Sequence, residues 1–544
     1  MGSRITILVG LFALLYAVLG FRFYDVQIRE GSYYEAQASS IHTLGGFLIP
    51  KRGDIYFTDK DGGKIHAAIN KDYPVVYAVP DEVEDPESAA SLLFEILGES
   101  KEVLLERLEK ENDPYEPLHK EPTDEMAEKV ESLGIEGVYV GSAKSRFYPR
   151  ETTGSHIVGY VSENESVWLG KYGIESYYNQ LLGGIAGESE GDKLINPKNG
   201  KNIQLTIDTH IQNRAETIIK DLVEDWNGSG GLAMVSDPET GKILAMASYP
   251  TFDPNNYGQY DVGVFLNPAV QAIYEPGSIF KVITMVSALD DGAVHPEDTF
   301  YDSGELTLNA HTIHNWDLKS HGTVTMSNIL EKSLNTGAAY VQRQLGNEKF
   351  YNYLNKFGLN DKTDIDLPGE VQGSLLPLEV DIRDINYATA SFGQGISVTP
   401  IGLLQALGAV ANGGELMRPY VNADNKPQKI RRVISEKASE QVTEMLISAV
   451  DKAYVAKIEG YSVAGKTGTA QVPDINGRGG YTDDVINTYI GYAPAKDPKF
   501  VIFIRLEKPA GAPLAGLTVV PAFRELAEFV INYYQIPPDR IDIE

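Results

Sequence analysis

With 544 residues, 42% of them apolar, the chain has material for about two to four domains and a large core. Its formal charge of -29, from 76 acidic against 47 basic residues, describes a surface that repels phosphate backbones and excludes nucleic acid as a partner. The absence of cysteine excludes thiolate catalysis, disulfide staples and zinc ribbons.

The first element is a largely apolar run from Ile5 to Phe21, bounded by Arg4 and Arg22. At ~1.5 Å per helical residue it spans roughly 25 Å, close to a ~30 Å hydrocarbon core, and Phe23 and Tyr24 extend it into the interface. A cleaved signal segment would end in an A-x-A-like site, which is missing, and a buried N-terminal helix would need a partner where polar residues follow. Residues 1–24 are therefore expected to form a short cytoplasmic stub and a single membrane-spanning anchor, with the rest of the chain beyond the membrane.

Helical spacing with many surface charges marks Pro86 to Leu97, Lys101 to Lys110 and Thr123 to Leu133. The Gly-rich stretch Leu182 to Gly187 and the polar stretch Glu188 to Lys201 then place a domain boundary near residue 200, dividing 25–200 from 201–544. Leu232 to Ser236 and Lys242 to Ser248 read as a β-hairpin around Asp237-Pro238-Glu239-Thr240-Gly241. Thr488 to Ala493 and Phe500 to Leu506 form a second strand pair, and Phe523 to Tyr534 has helical spacing. Strands at both ends of one segment with helices between them predict an α+β architecture, an antiparallel sheet assembled from distant pieces and flanked by helices.

Three short stretches in this second segment carry chemistry: Ser278-Ile279-Phe280-Lys281, Ser333-Leu334-Asn335 and Lys466-Thr467-Gly468-Thr469. Apolar residues recur at helical spacing from Ile279 to Leu289, so Ser278 is expected to open a buried helix. Its simplest role is that of an N-cap, though a capping box would place Glu or Gln at the third position, where Lys281 stands. A cation in the first turn opposes the helix dipole, yet a neutral lysine one turn from a serine can take its proton and make it a nucleophile. The dipole supplies only about 0.3 to 1 kcal/mol, so desolvation and a second cation, Lys466, must lower the Lys281 pKa further. The two lysines are expected to converge on the Ser278 hydroxyl at the mouth of a cleft.

Ser333 and Asn335 fall within Leu330 to Tyr340, a helix end or turn that can aim Ser333 to relay a proton and Asn335 to hold a substrate amide; alone, the pair is equally a helix cap. Lys466 to Ala470 has the look of an edge strand, with Thr467 and Thr469 facing one way, Gly468 leaving room for a ligand backbone and Lys466 seating a carboxylate. The backbone N–H groups of Ser278 and Thr469 are the candidate oxyanion hole. His311-Thr312-Ile313-His314, with Asp317 and His321, is more simply a set of solvated or hydrogen-bonded histidines than a metal site.

The ordered trio S-x-x-K, S-x-N and K-T-G is the set found in penicillin-binding proteins and class A β-lactamases. Tyr274 to Lys281 is similar to the extended nucleophile motif of class B penicillin-binding proteins, as are Asn267, Ser391-Phe392-Gly393-Gln394-Gly395 with Thr399-Pro400, Asn412-Gly413-Gly414 and Gly465 to Ala470. In the first half, Pro50 to Ile55 with Asp61-Gly62, and Gly173-Ile174-Glu175 with Tyr178-Asn179 and Leu182-Gly183-Gly184, resemble that family's pedestal module. The chain departs from the pattern at Asp59-Lys60-Asp61-Gly62, Pro268 and Leu334, none of them a catalytic position.

The resemblance implies the penicillin-recognising serine transferase fold on an N-terminal pedestal, and a D,D-transpeptidase of the bacterial plasma membrane, single-pass, with its catalytic domain extracytoplasmic. It implies Ser278 as nucleophile, Lys281, Ser333, Asn335 and Lys466 around it, and Thr467, Gly468 and Thr469 on the substrate. Peptidoglycan stem peptides and β-lactams are the implied ligands, a membrane glycosyltransferase the implied partner, and no metal or organic cofactor is implied. A class A β-lactamase would carry E-x-x-L-N, where this chain has Tyr351 before Leu354-Asn355. A D,D-carboxypeptidase and a non-catalytic β-lactam sensor or scaffold are the remaining alternatives. The C-terminus and the anchor-proximal segment favour a division role over elongation.

Overall fold

A long strand that changes partners part-way organises the N-terminal half of the computed structural model, which describes residues 50–540 apart from 112, 114, 165–166, 191–192, 475–479 and 512, together with 16 and 47–48. Of the expected anchor only Tyr16 is described, so that expectation lies outside the described residues; among them no helix is long and apolar enough to cross a membrane. The strands are β1 (Ile55–Thr58), β2 (Ile65–Ala78), β3 (Glu116–Lys120), β4 (Val138–Phe147) and β5 (Ile203–Asp208). β2 pairs β1 through its first residues and β3 and β4 through its later ones, all antiparallel, while β5 joins β1 in parallel. The β5 strand therefore belongs to the pedestal sheet although it follows the glycine-rich stretch near residue 200.

Helices α1 (Pro86–Leu97), α2 (Lys101–Leu108) and α3 (Asp124–Leu133) cover the far end of that sheet. Asp85, Ser100 and Thr123 cap them by accepting from Ser88, Val103 and Met126 N–H. Left-handed Gly98 and Gly134 end α1 and α3, which sets the observed bounds within two residues of those the periodicity predicts. Leu93, Leu97, Leu104, Leu118 and Val130 give this end a core of its own. At the near end Glu175, fully buried, lies between Arg52 and Arg146, whose Nε atoms each donate to its carboxylate at 2.7 Å.

The second sheet has β6 (Gly230–Ser236), β7 (Ile243–Tyr249), β8 (Ala464–Pro473), β9 (Tyr481–Ala493) and β10 (Phe500–Glu507) in the order β7-β6-β10-β9-β8, entirely antiparallel. Period-two alternation sends Ala233, Val235, Ile502 and Ile504 to one face and Leu232, Met234, Val501 and Phe503 to the other. The first face packs on α4 (Thr209–Asp225) and α9 (Val519–Tyr534). The second packs on α5 (Lys281–Asp291), α7 (Pro400–Ala411) and α8 (Glu436–Ala453), and α6 (Asn335–Leu345) lies against α5. This is the expected sheet assembled from distant pieces between helical layers. One apolar cluster runs from Ile55, Phe57 and Ile203 of the pedestal to Phe252 and Phe280, so pedestal and second sheet share a core where they meet.

Candidate active site

Two separate segments press on the turn that carries Ser278. Gly277 has φ +60°, its N–H donates to Gly393 O at 3.1 Å, and a Cβ on it would meet Ala470 Cβ at 3.0 Å. So confined, residues 277–280 form a 3₁₀ turn and the α-helix begins only at Lys281, a correction to the expectation that Ser278 itself opens the helix. The tighter turn helps the chemistry, because residues three apart eclipse one another in a 3₁₀ turn and Ser278 and Lys281 share one edge. Ile279 and Phe280 are fully buried and anchor the turn, while Ser278 stays partly exposed.

Lys281 is 1% exposed. Its Nζ donates to Ser333 O at 2.6 Å, to Ser333 Oγ at 3.2 Å and to Asn335 Oδ1 at 2.7 Å. Lys466, 4% exposed, arrives from the edge strand β8 and donates to the same Ser333 Oγ at 3.0 Å and to Thr467 O at 3.2 Å. Both lysines hydrogen-bond to the hydroxyl of Ser333, a correction to the expectation that they meet at that of Ser278. Ser333 holds this place with φ +55°, in a turn between the helix Met326–Glu331 and α6; a left-handed non-glycine residue costs about 1 kcal/mol or more. Asn335 is fixed from its other end, its Nδ2 donating to His314 O at 2.9 Å.

Burial disfavours the charged form of both amines. Desolvation, and then the charge of Lys466, hold Lys281 well below the ordinary lysine range. Desolvation pushes Lys466 down to about 7. Both amines therefore give up a proton more readily than an ordinary lysine, and each reaches Ser333 Oγ.

On β8, Lys466, Gly468 and Ala470 are buried and alternate with the partly exposed Thr467 and Thr469. The space beside Gly468 is filled by the chain itself: a Cβ there would collide with Thr488 Oγ1 and come within 3.1 Å of Pro276 O. Its bareness lets the nucleophile turn lie against the strand, leaving the free strand edge as the part a ligand backbone can reach. Thr469 Oγ1 accepts from Ala515 N–H at 3.3 Å.

Glu275, three residues before Ser278, is a contact that the motifs alone did not assign. It accepts from Gly395 N–H at 3.1 Å and from Tyr481 OH at 2.9 Å, tying the 391–395 loop to the start of β9 across the nucleophile turn. The His311–His314 strand pairs with Glu305–Leu308 as a hairpin beside Asn335, a placement with no local sequence signal. His321 Nε2 lies 3.1 Å from Asp317 Oδ2, and among the described residues no group of three metal-ligating side chains occurs.

Residues 231–528 match the penicillin-binding protein transpeptidase domain, and residues 48–208 match the penicillin-binding protein dimerisation domain. The chain belongs to the class B penicillin-binding proteins. It is 34% identical to stage V sporulation protein D of Bacillus subtilis, over 94% of this chain and 83% of that protein. It is 27% identical to the probable peptidoglycan D,D-transpeptidase PenA of Neisseria meningitidis, over 99% of this chain and 94% of that one. The crystal structure of a peptidoglycan synthetase from Bifidobacterium adolescentis superposes with a TM-score of 0.70 at 27% identity, covering 92% of this chain and 98% of the other. As a class B penicillin-binding protein it is a serine-type acyltransferase of cell-wall synthesis.

Proposed function

We propose that Ser278 attacks the carbonyl between the two terminal D-alanines of a peptidoglycan stem peptide. Neutral Lys281 takes the hydroxyl proton as the Oγ–C bond forms, and the backbone N–H groups of Ser278 and Thr469 receive the oxyanion. As the C–N bond breaks, Ser333 relays a proton from the lysine pair to the departing D-alanine amine. Lys466, Thr467 and Thr469, with the free edge at Gly468, seat the terminal carboxylate, and Asn335 holds a substrate amide. An amine from a neighbouring stem then attacks the ester carbonyl, forms the crosslink and returns the proton to Ser278. A β-lactam acylates the same serine and stays.

The observation that supports this reading most is the pair of buried, depressed lysines sharing one hydroxyl at hydrogen-bond distance. No structural role accounts for two uncompensated buried amines side by side. Residues 1–24 would anchor the chain in the bacterial plasma membrane as a single pass, with the pedestal, which β5 extends past residue 200 to Asp208, and the transpeptidase domain after it extracytoplasmic. A membrane glycosyltransferase would supply the glycan strands, and the setting is division.

A D-Ala-D-Ala peptide supplied with an acceptor amine tests the reaction class. Crosslinked product is the expected outcome, and release of the free acid alone would make the chain a carboxypeptidase.

A further inference from the structure

Ser333 is held from outside the three motifs. Lys332 O accepts from Trp316 Nε1 at 3.0 Å, Asn335 Nδ2 donates to His314 O at 2.9 Å, and Thr336 N–H donates to Asn315 Oδ1 at 3.3 Å. Three consecutive residues, 314 to 316, thus grip the chain on both sides of the left-handed Ser333. They belong to a small module between α5 and the helix Met326–Glu331, in which Thr299–Asp302 pairs with Gly322–Thr325 and Glu305–Leu308 with His311–His314.

Asp302 lies at the centre of that grip. It is fully buried, and its Oδ1 accepts from Gly304 N–H at 2.9 Å and from Thr336 Oγ1 at 2.7 Å. Its Oδ2 accepts from Asn315 Nδ2 at 2.9 Å and from His321 N–H at 3.1 Å. All four donors are neutral groups. Burying a carboxylate is costly unless hydrogen bonds replace its water, and here both oxygens are filled, so the carboxylate fixes its donors as firmly as they fix it. Two of those bonds reach the site. The Thr336 hydroxyl, itself buried, stands one residue from Asn335. The Asn315 amide is turned by Asp302 so that its Oδ1 faces Thr336, with the N–H at 3.3 Å and Oγ1 at 3.0 Å.

The backbone of Ser333 shows why the site needs such a support. At φ +55° a serine does not favour its own conformation, and its surroundings have to impose it. We propose that Asp302 is a positioning residue of the acyl transfer: with Asn315 and Trp316 it holds Lys332 to Thr336 in the turn that presents Ser333 Oγ to Lys281 and Lys466, and Asn335 Oδ1 to Lys281. The inference rests on the proton relay assigned to Ser333 and names what keeps that relay in place. The lysines reach Ser333 Oγ at 3.0 and 3.2 Å, so a displacement of about 1 Å away from them breaks both bonds.

The test uses the full chain and two acyl donors that differ in their need for the relay. In penicillin the ring nitrogen must gain a proton as its C–N bond breaks. With a thioester the Ser278 Oγ–C bond forms, the C–S bond breaks and sulfur keeps the electron pair; Lys281 takes the serine proton, and the departing thiolate needs none. Ser333→Ala is the reference and is expected to lower the penicillin-to-thioester ratio of acylation rates. Asp302→Asn can meet only two of the four donors, and Thr336→Val keeps the shape without the hydroxyl. Both are expected to lower the same ratio about tenfold or more, the scale of a misplaced catalytic group, whereas Thr336→Ser keeps the parent ratio. Equal loss on both donors, or no loss, beside a lowered ratio in Ser333→Ala overturns the role of Asp302 and leaves the relay standing. An unchanged ratio in Ser333→Ala overturns the relay itself. Should the buried variants fail to fold, Trp316→Phe decides, since Trp316 is more than half exposed and the change removes only its donation to Lys332 O. A lowered ratio there supports the grip, and an unchanged one overturns it.

Discussion

Lys466 should make the protein less stable than it would be without it, and replacing it by methionine measures by how much. Burial lowers its pKa from the ordinary 10.5 to about 7, and the side chain is only 4% exposed, so solvent screening does not dilute the effect. At about 1.36 kcal/mol for each tenfold change in proton affinity, the cost at neutral pH is about 5 kcal/mol. Removing the amine forfeits its bonds to Ser333 Oγ and Thr467 O, returning about 1–3 kcal/mol. Ser333 Oγ keeps Lys281 as a partner, so no buried hydroxyl is orphaned. Lys466→Met is therefore expected to be more stable than the parent by about 2–4 kcal/mol at pH 7, while losing acylation.

The pH dependence sharpens the test. Because the folded-state value lies below the unfolded one, the penalty is absent above about pH 10.5, grows as pH falls toward 7 and is constant below that. Chemical denaturation of parent and variant between pH 6 and 10 should show the variant's advantage shrinking as pH rises. A variant that is destabilised, or an advantage that does not change with pH, would refute the reasoning.

Penicillin acylation by the free enzyme should follow a bell-shaped pH profile: it falls on the acid side as Lys281 gains a proton and falls above about pH 7 as Lys466 loses one. A flat profile from pH 6 to 9, read by stopped labelling, contradicts the two roles. Glu175→Leu leaves Arg52 and Arg146 buried without their shared carboxylate and is expected to cost about 3–5 kcal/mol, measured by urea unfolding. An unchanged midpoint would mean the pair is not what holds the pedestal base. Glu275→Ala frees Gly395 and Tyr481 from each other and should slow acylation about tenfold or more with little change in melting temperature. Wild-type kinetics in that variant would remove Glu275 from the positioning of the turn.

Much of the fold is visible in the residues because local signals carry it. Capping residues before α1, α2 and α3, glycines after α1 and α3, and the short apolar runs of β6 and β10 are nearest-neighbour chemistry, and they place those elements almost to the residue. The long-range partners are not local. That β5 adds in parallel to β1 depends on packing across a whole half of the molecule, and the glycine-rich stretch before it marks a turn without marking where the sheet ends. At the site, the three motifs name Lys281, Ser333, Asn335 and Lys466, and the geometry joins them. Spacing could not reveal that Ser333, in a left-handed turn, is the shared hydroxyl, nor that Ser278 sits in a 3₁₀ turn forced by Gly393 and Ala470. Glu275 and the His311–His314 hairpin are set by which distant segments meet, and no periodicity encodes that.

Intact-mass measurement after exposure to penicillin, followed by peptide mapping, reaches the central claim most directly. One covalent adduct is expected on the peptide carrying Ser278, and none on Ser278→Ala. An adduct that persists in Ser278→Ala, or one that maps to Ser333, would contradict the assignment of the nucleophile.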